Sequence, residues 1–205
     1  MASAPPRPRI LTLADLDLVI RTPRLLLRPL TEDDVDAIFP IVSDPAFPRH
    51  MSWNAHTERS ETVAWVQSLA KAIEDGAGVT WAIEHAGHVG GCIGLGSIRW
   101  QVLAWRIDRS ELGYWLAPAL WNRGLMSEAV PAVIRWGFGV LGLHKITVGC
   151  FAENVGSRRV IEKAGFRPVG RLENDVWRDD QWHAHLRYEL TAAEHADPAR
   201  STDAP

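Results

Sequence analysis

The sequence predicts a mixed-sheet α/β (α+β) domain. Three observations carry the prediction: a run of alternating strands near the middle of the chain, two successive passages from strand to helix, and a closing pair of strands. Residues 1–8 hold Pro5, Pro6 and Pro8 and show no apolar periodicity, and residues 192–205 are small and polar, which places flexible tails over 1–17 and 191–205. Both ends are expected to be frayed tails around a single domain spanning 18–190. Leu25, Leu26 and Leu27 between two arginines read as a strand; Pro29 stops it, and Thr31 followed by Glu32, Asp33 and Asp34 opens a helix. A second helix over about 57–72 places Val63, Val66, Leu69 and Ile73 on one face and closes at Asp75-Gly76. Residues 79–84, 88–95 and 96–100 follow as an antiparallel meander, with a turn at Ala86-Gly87.

The first strand-to-helix unit begins with a strand over 111–116. Alternation puts Glu111, Gly113 and Trp115 on one face and Leu112, Tyr114 and Leu116 on the other. A helix from Gly124 to about Phe138 comes next, with a kink expected at Pro131. The second unit pairs a strand over 145–151 with a helix capped by Asn154; Val160, Ile161 and Ala164 form its apolar stripe and Gly165 ends it. Two strands, 169–177 and 182–190, close the chain around a turn at 178–181.

Composition narrows the function. With 46% hydrophobic and 23% charged residues the chain can bury a core, and a net charge of −3 lacks the basic footprint that phosphate-mediated nucleic-acid binding needs. Neither nucleic acid nor a membrane is an expected partner, since no apolar run approaches a span. Acids interrupt any signal-peptide core near the start, so a cytoplasmic location is expected. Cys92 and Cys150 stand far apart without metal-ligand spacing, and Cys150 reads as a packed strand residue. The ten tryptophans are read mainly as core packing, with a hydrophobic groove as the other use of such an excess.

Several motifs are ambiguous when read from the residues alone. The stretch Trp121-Asn122-Arg123-Gly124-Leu125-Met126-Ser127 lies where strand passes into helix, a turn able to aim backbone N–H groups at a phosphate; it is equally an ordinary helix cap. Gly137 to Gly142 fits the dinucleotide glycine pattern by letters but closes a helix instead of opening one, so it is assigned to a C-cap. His183 and His185 share a strand face without a third ligand at clear spacing, and no metal is expected. Asn154 and Ser157 make a standard capping pair. Glu111 is either a solvated strand end or a general base facing a cleft.

Taken in order, LLLRPLTEDDVDAI, ELGYWLAPALWNRGLMSEA and FAENVGSRRVIEKAGF resemble the GNAT superfamily of N-acetyltransferases, in its RimJ/RimL branch, over about 18–190. The resemblance implies a twisted, mostly antiparallel mixed sheet of about seven strands with flanking helices. The strands over 111–116 and 145–151, fourth and fifth in the family order, would splay apart to admit the pantetheine arm of acetyl-CoA. It further implies cosubstrate contacts from Leu116 and from Asn122, Arg123, Gly124, Leu125, Met126 and Ser127, with Trp121 and Met126 at the two ends of the family's pyrophosphate loop. By the same resemblance Asn154 would hold the pantetheine arm, Ser157 would protonate the departing CoA thiolate, and Glu111 would deprotonate the amine through water. Ala184 stands where the family's closing hairpin usually carries an acid.

The implied reaction is direct transfer to a primary amine, either the α-amine of a protein or peptide or a small-molecule amine, with no cysteine nucleophile. The acceptor is expected between residues 48–56 and the closing hairpin, where Trp53, Trp177, His183 and His185 would line a groove of apolar and polar contacts. A homodimer is compatible with this reading. The alternatives are transfer from another acyl-CoA such as succinyl-CoA, and a CoA-binding module without catalysis.

Overall fold

The computed structural model describes residues 12–197. Its eight strands form one sheet in the order β1 (Ile20–Arg21), β2 (Leu25–Pro29), β3 (Val79–His85), β4 (His88–Val102), β5 (Trp105–Leu116), β6 (Lys145–Phe151), β8 (Gln181–Thr191), β7 (Arg167–Arg178). Every neighbouring pair is antiparallel except β5 and β6, which the crossover through α3 (Leu125–Gly139) makes parallel. The mixed, mostly antiparallel sheet matches the expected fold class. Helices α1 (Val35–Val42) and α2 (Arg59–Glu74) cover one face of the β2–β5 half, burying Val35, Ile38, Val42 and Val66 with Trp115. The larger core lies on the other face, where α3 and α4 (Val155–Lys163) bury Ala129, Val133 and Ile161 against Leu95, Leu112 and Ile146.

Local chemistry accounts for the elements. Thr31 and Asp34 exchange the two bonds of a capping box, and the buried Asp34 takes a bidentate pair from Arg28 at 2.7 and 2.8 Å. The β7–β8 hairpin turns through Asp179 and Asp180, both left-handed at φ 50° and 58°, as the primed two-residue turns require. Helix α3 runs through Pro131 as one element.

Five expectations need correction. Residues 96–100 are not a separate strand: β4 continues to Val102, because the bulge at Gly96–Arg99 bends the strand without breaking it, and β5 begins at Trp105, well before Glu111. With the short β1 added, the sheet has eight strands among the described residues, against the about seven implied by the resemblance. The first tail is held to the core well before residue 18. Leu13 is 1% exposed, and the indoles of Trp81 and Trp136 donate to the carbonyls of Leu18 and Asp17 at 2.5 and 3.3 Å. Two core tryptophans that pack edge to face at 5.0 Å need acceptors for their N–H groups, and this segment supplies them. The last tail begins with α5 (Ala192–Ala196), nucleated by a capping box between Thr191 and Glu194. Arg167 adds a bond to Glu194 at 2.9 Å, and the Thr191 hydroxyl is the main reason the Glu194 carboxyl falls to about 2.

Candidate functional site

The parallel pairing of β5 with β6 covers only Arg109–Lys145, Ser110–Ile146 and Glu111–Thr147. Beyond Glu111 each strand stays with its outer neighbour: β5 follows β4 as far as Leu116, and β6 follows β8 as far as Phe151. A wedge-shaped gap opens between them, edged by backbone groups without a ladder partner. This is the splay expected between 111–116 and 145–151. Strand alternation then assigns side chains to its two faces. Leu112, Tyr114, Leu116, Val148 and Cys150 belong to the α3/α4 side, whereas Glu111 and Trp115 face the α1/α2 side, where Arg187 meets Glu111.

On the α3/α4 side the chain leaves Leu116, makes a short turn over Pro118–Leu120 and enters α3 through Trp121, Asn122, Arg123 and Gly124. The Trp121 indole donates to the Leu116 carbonyl at 2.6 Å, which folds the loop back over the mouth of the gap. Asn122 and Gly124 are left-handed at φ 57° and 72°. Gly124 is the N-cap and has no side chain with which to cap, so the first-turn N–H groups of Leu125, Met126 and Ser127 have no intrahelical acceptor. With the positive end of the helix dipole behind them, donors arranged in this way are able to receive an anion. The side chains of Leu125 and Met126 are buried in the core, so these two residues offer a ligand only their backbone.

A brace holds this turn. Glu128 accepts from the Thr22 hydroxyl at 2.6 Å and from Arg24 Nε and N at 2.6 and 2.9 Å. Arg24 Nη1 also donates to the Arg123 carbonyl at 2.9 Å. Burial alone would raise the Glu128 carboxyl, but the hydrogen bonds from Thr22 and Arg24 outweigh it and hold the group below its usual value.

Asn154 caps α4 as expected, its Oδ1 accepting from Ser157 N at 3.0 Å. The Ser157 hydroxyl lies 2.9 Å from Tyr114 Oη across the gap. Burial pushes the Tyr114 phenol up, against the opposing effect of its bond to Ser157, so it stays protonated at working pH. Cys150 is buried beside this pair, and burial raises its thiol as it does that of Cys92.

On the α1/α2 side Glu111 is half exposed, with Arg187 Nη1 at 3.6 Å. Arg187 reaches Asp175 at 3.7 Å, and His185 Nδ1 lies 3.9 Å from the same carboxylate. His185 crosses β6 at Gly149, where a Cβ would stand 2.4 Å from its ring. Its buried Nδ1 has no hydrogen bond, and burial, then Arg187, lowers its pKa and keeps the imidazole neutral. A Cβ at Gly113 would meet nothing within 4 Å, so the floor beside Glu111 is open.

Phe151 carries the wall onward, with His50, His183 and His185 around it at ring distances of 5.7, 5.3 and 6.0 Å. The expected meeting of residues 48–56 with the closing hairpin is present, since Arg178 donates to the Trp53 carbonyl at 3.1 Å. Trp53 packs between Phe47 and His56. Trp177 and Trp182 meet edge to face at 5.4 Å on the outer hairpin and are more than half exposed. His183 has both ring nitrogens engaged, by Glu153 at 2.7 Å and the Arg178 carbonyl at 3.0 Å, so it holds the hairpin's shape. The tryptophans thus divide: Trp81, Trp115 and Trp136 are core, while Trp105, Trp121, Trp177 and Trp182 are exposed.

Sequence reasoning missed Tyr114, Arg187, Asp175 and the Thr22–Arg24–Glu128 brace. Tyr114 carried one signal, a polar hydroxyl on the apolar face of its strand. The brace spans 104 positions between Arg24 and Glu128, and no local pattern announces it.

The acetyltransferase (GNAT) domain family matches residues 24–167. An uncharacterized N-acetyltransferase, YoaA of Bacillus subtilis, is 29% identical over 161 residues, 78% of this chain and 89% of that protein. Among solved structures, RimL, a ribosomal L7/L12 α-N-protein acetyltransferase in complex with coenzyme A, superposes with a TM-score of 0.78 at 20% identity, covering 87% of this chain and 99% of that one. Spermidine N-acetyltransferase from Vibrio cholerae, in complex with CoA and spermine, superposes with a TM-score of 0.75 at 19% identity, over 86% and 100% of the two chains.

Proposed function

The chain belongs to the acetyltransferase (GNAT) family, and from that premise we propose that it moves the acetyl group of acetyl-CoA directly to a primary amine, with an α-amine of a protein or peptide ranked ahead of a small-molecule amine. The observation that carries this reading is the gap itself: Glu111 and Ser157 stand on opposite faces of one opening, below the uncapped start of α3. Backbone N–H groups of residues 122–127 hold the pyrophosphate, the carbonyl of Leu116 and the loop above it close over the arm, and Asn154 steadies the pantetheine. The acceptor enters from the α1/α2 side, past Trp53 and His185, with Trp177 at the outer end of the groove and His183 fixing its shape.

An amine attacks only as the free base, and an α-amine with a pKa near about 7.7–8.0 needs only a modest base. Glu111, through water, takes the proton that the nitrogen loses as the N–C bond forms. A gap-edge backbone N–H polarises the thioester oxygen as charge develops. Ser157 gives its proton to sulfur as the C–S bond breaks and takes one back from water when the products leave, while Tyr114, bonded to Ser157 and itself staying protonated, holds the hydroxyl in place. Alignment of amine and thioester across the gap supplies the larger part of the effect.

The test is a calorimetric titration with acetyl-CoA, followed by a thiol-release assay over N-terminal peptides and an amine panel. Expected are a single cosubstrate site and turnover of peptides. Absence of acetyl-CoA binding overturns the proposal, and release of CoA by small amines alone overturns the peptide ranking.

A further inference from the structure

We propose that Arg99 and Arg109 form an anion subsite next to Glu111, so that the acceptor carries a negative group close to the amine it presents; this deepens the proposed transfer to an amine and rests on it. The two residues are cross-strand partners on β4 and β5, placed side by side by their register. Like charges directly opposite one another cost a sheet stability. Among the described residues no ion pair relieves either guanidinium, whereas the neighbouring cations are spoken for: Arg106 by Asp108, Lys145 and Arg167 by Glu189, and Arg187 by Glu111 and Asp175.

The two arginines line a cleft of about 300 Å3 that also contains Ser97, Glu111, Thr147 and Arg187. The backbone is shaped for it. The β4 bulge lies between Gly96 and Arg99, opposite Glu111 and Arg109, with Ser97 left-handed at φ 49° and Ser110 Oγ donating to the Gly96 carbonyl at 2.7 Å. A bulge of this kind re-aims side chains beside a site.

The spacing sets the ligand's dimensions. Arg109 precedes Glu111 by two residues on the same strand face, about 7 Å along the strand. An extended peptide covers that span in about two residues. With its amine at Glu111 and Gly113, its second or third side chain reaches the two guanidinium forks, which suit a carboxylate or a phosphate. A polyamine brings positive charge to the same place and is disfavoured.

The experiment uses N-terminal peptides identical except at residues 2 and 3, which are Glu, Gln, Lys or phosphoserine, with spermidine as a further acceptor. Thiol release gives kcat/KM. Calorimetry of the same peptides on CoA-saturated protein gives a charge ranking even without turnover. The expected ranking is Glu above Gln by about tenfold and above Lys by more, narrowing as salt rises. In the double variant R99Q/R109Q, shown to be folded by its melting curve, the Glu-to-Lys ratio falls to about one. A phosphoserine peptide well ahead of Glu identifies the anion as phosphate; parity identifies a carboxylate as sufficient. A Lys peptide or spermidine equal to the Glu peptide in the parent, or a ratio that survives the double variant, overturns the subsite. Charge-ranked binding without any acetyl transfer overturns the proposed reaction and leaves the subsite standing.

Discussion

On the α3/α4 side of the gap the groups offered to a ligand are mostly backbone: the first-turn N–H groups of α3, supported by Leu125 and Met126, whose side chains face the core. On the α1/α2 side they are side chains: Glu111, Arg187, Arg99 and Arg109 on open strand surface, with the mostly buried His185 beside them. A site made of backbone tolerates changes of letter as long as the turn keeps its shape. Met126 fills a core position, so a different apolar side chain there leaves the backbone donors in place. A site made of side chains changes its ligand with each substitution.

The most severe test of that contrast is Glu111→Gln, which removes a single side-chain function. We expect kcat to fall by about 10²–10³-fold, with loss of the acidic limb of its pH profile and little change in acetyl-CoA affinity. A parent-like pH profile in this variant removes Glu111 from the mechanism. Next is Gly124→Val, which attacks the backbone itself. Valine at φ +72° is strained and fills the ligand's approach, so acetyl-CoA should bind about 100-fold more weakly by calorimetry in a protein that still melts cooperatively. Affinity equal to the parent's places the cosubstrate elsewhere.

Ser157→Ala should lower kcat by about tenfold or more without moving the pH limb. Tyr114→Phe should cost less, about three- to tenfold, with no further loss when combined with Ser157→Ala, because the phenol acts through the serine. Additive losses in the double variant separate the two groups.

The smallest effect concerns the brace. Glu128 has a folded-state carboxyl held below its ordinary value of 4.5. Its stabilising contribution is therefore present above that value and fades as pH falls through the folded one. Glu128→Gln should cost about 1 kcal/mol at neutral pH, a few degrees in Tm, and flatten the acid side of the Tm profile. An unchanged acid limb assigns that pH dependence to other carboxylates, with Asp34 first among them.

The elements that read cleanly from the chain are those whose signals are local. Asn154 capping α4, Gly124 opening α3, the Asp179-Asp180 turn and the alternation of residues 111–116 each depend on neighbours within a few positions. The reading erred where a local signal was overlooked, as with the capping box at Thr191 and Glu194. It also erred where distant atoms decided, as with residues 13–18, held because two indole N–H groups arriving from β3 and α3 need acceptors there. His183 and His185 show the limit most directly. Two apart on one strand, they are indistinguishable by pattern, yet one has both nitrogens engaged while the other lies over Gly149 with a nitrogen unpaired.

Periodicity and caps therefore established the mixed sheet, the strand-to-helix turn before α3 and the opposite facing of Glu111 and Tyr114, since each follows from the geometry of one continuous segment. The tertiary structure alone decided where β5 and β6 part, which hydroxyl meets Ser157, and which arginines remain without a carboxylate among the described residues. Those facts depend on pairing between segments tens of residues apart, and such pairing is fixed only when the whole core closes and each strand commits to one neighbour.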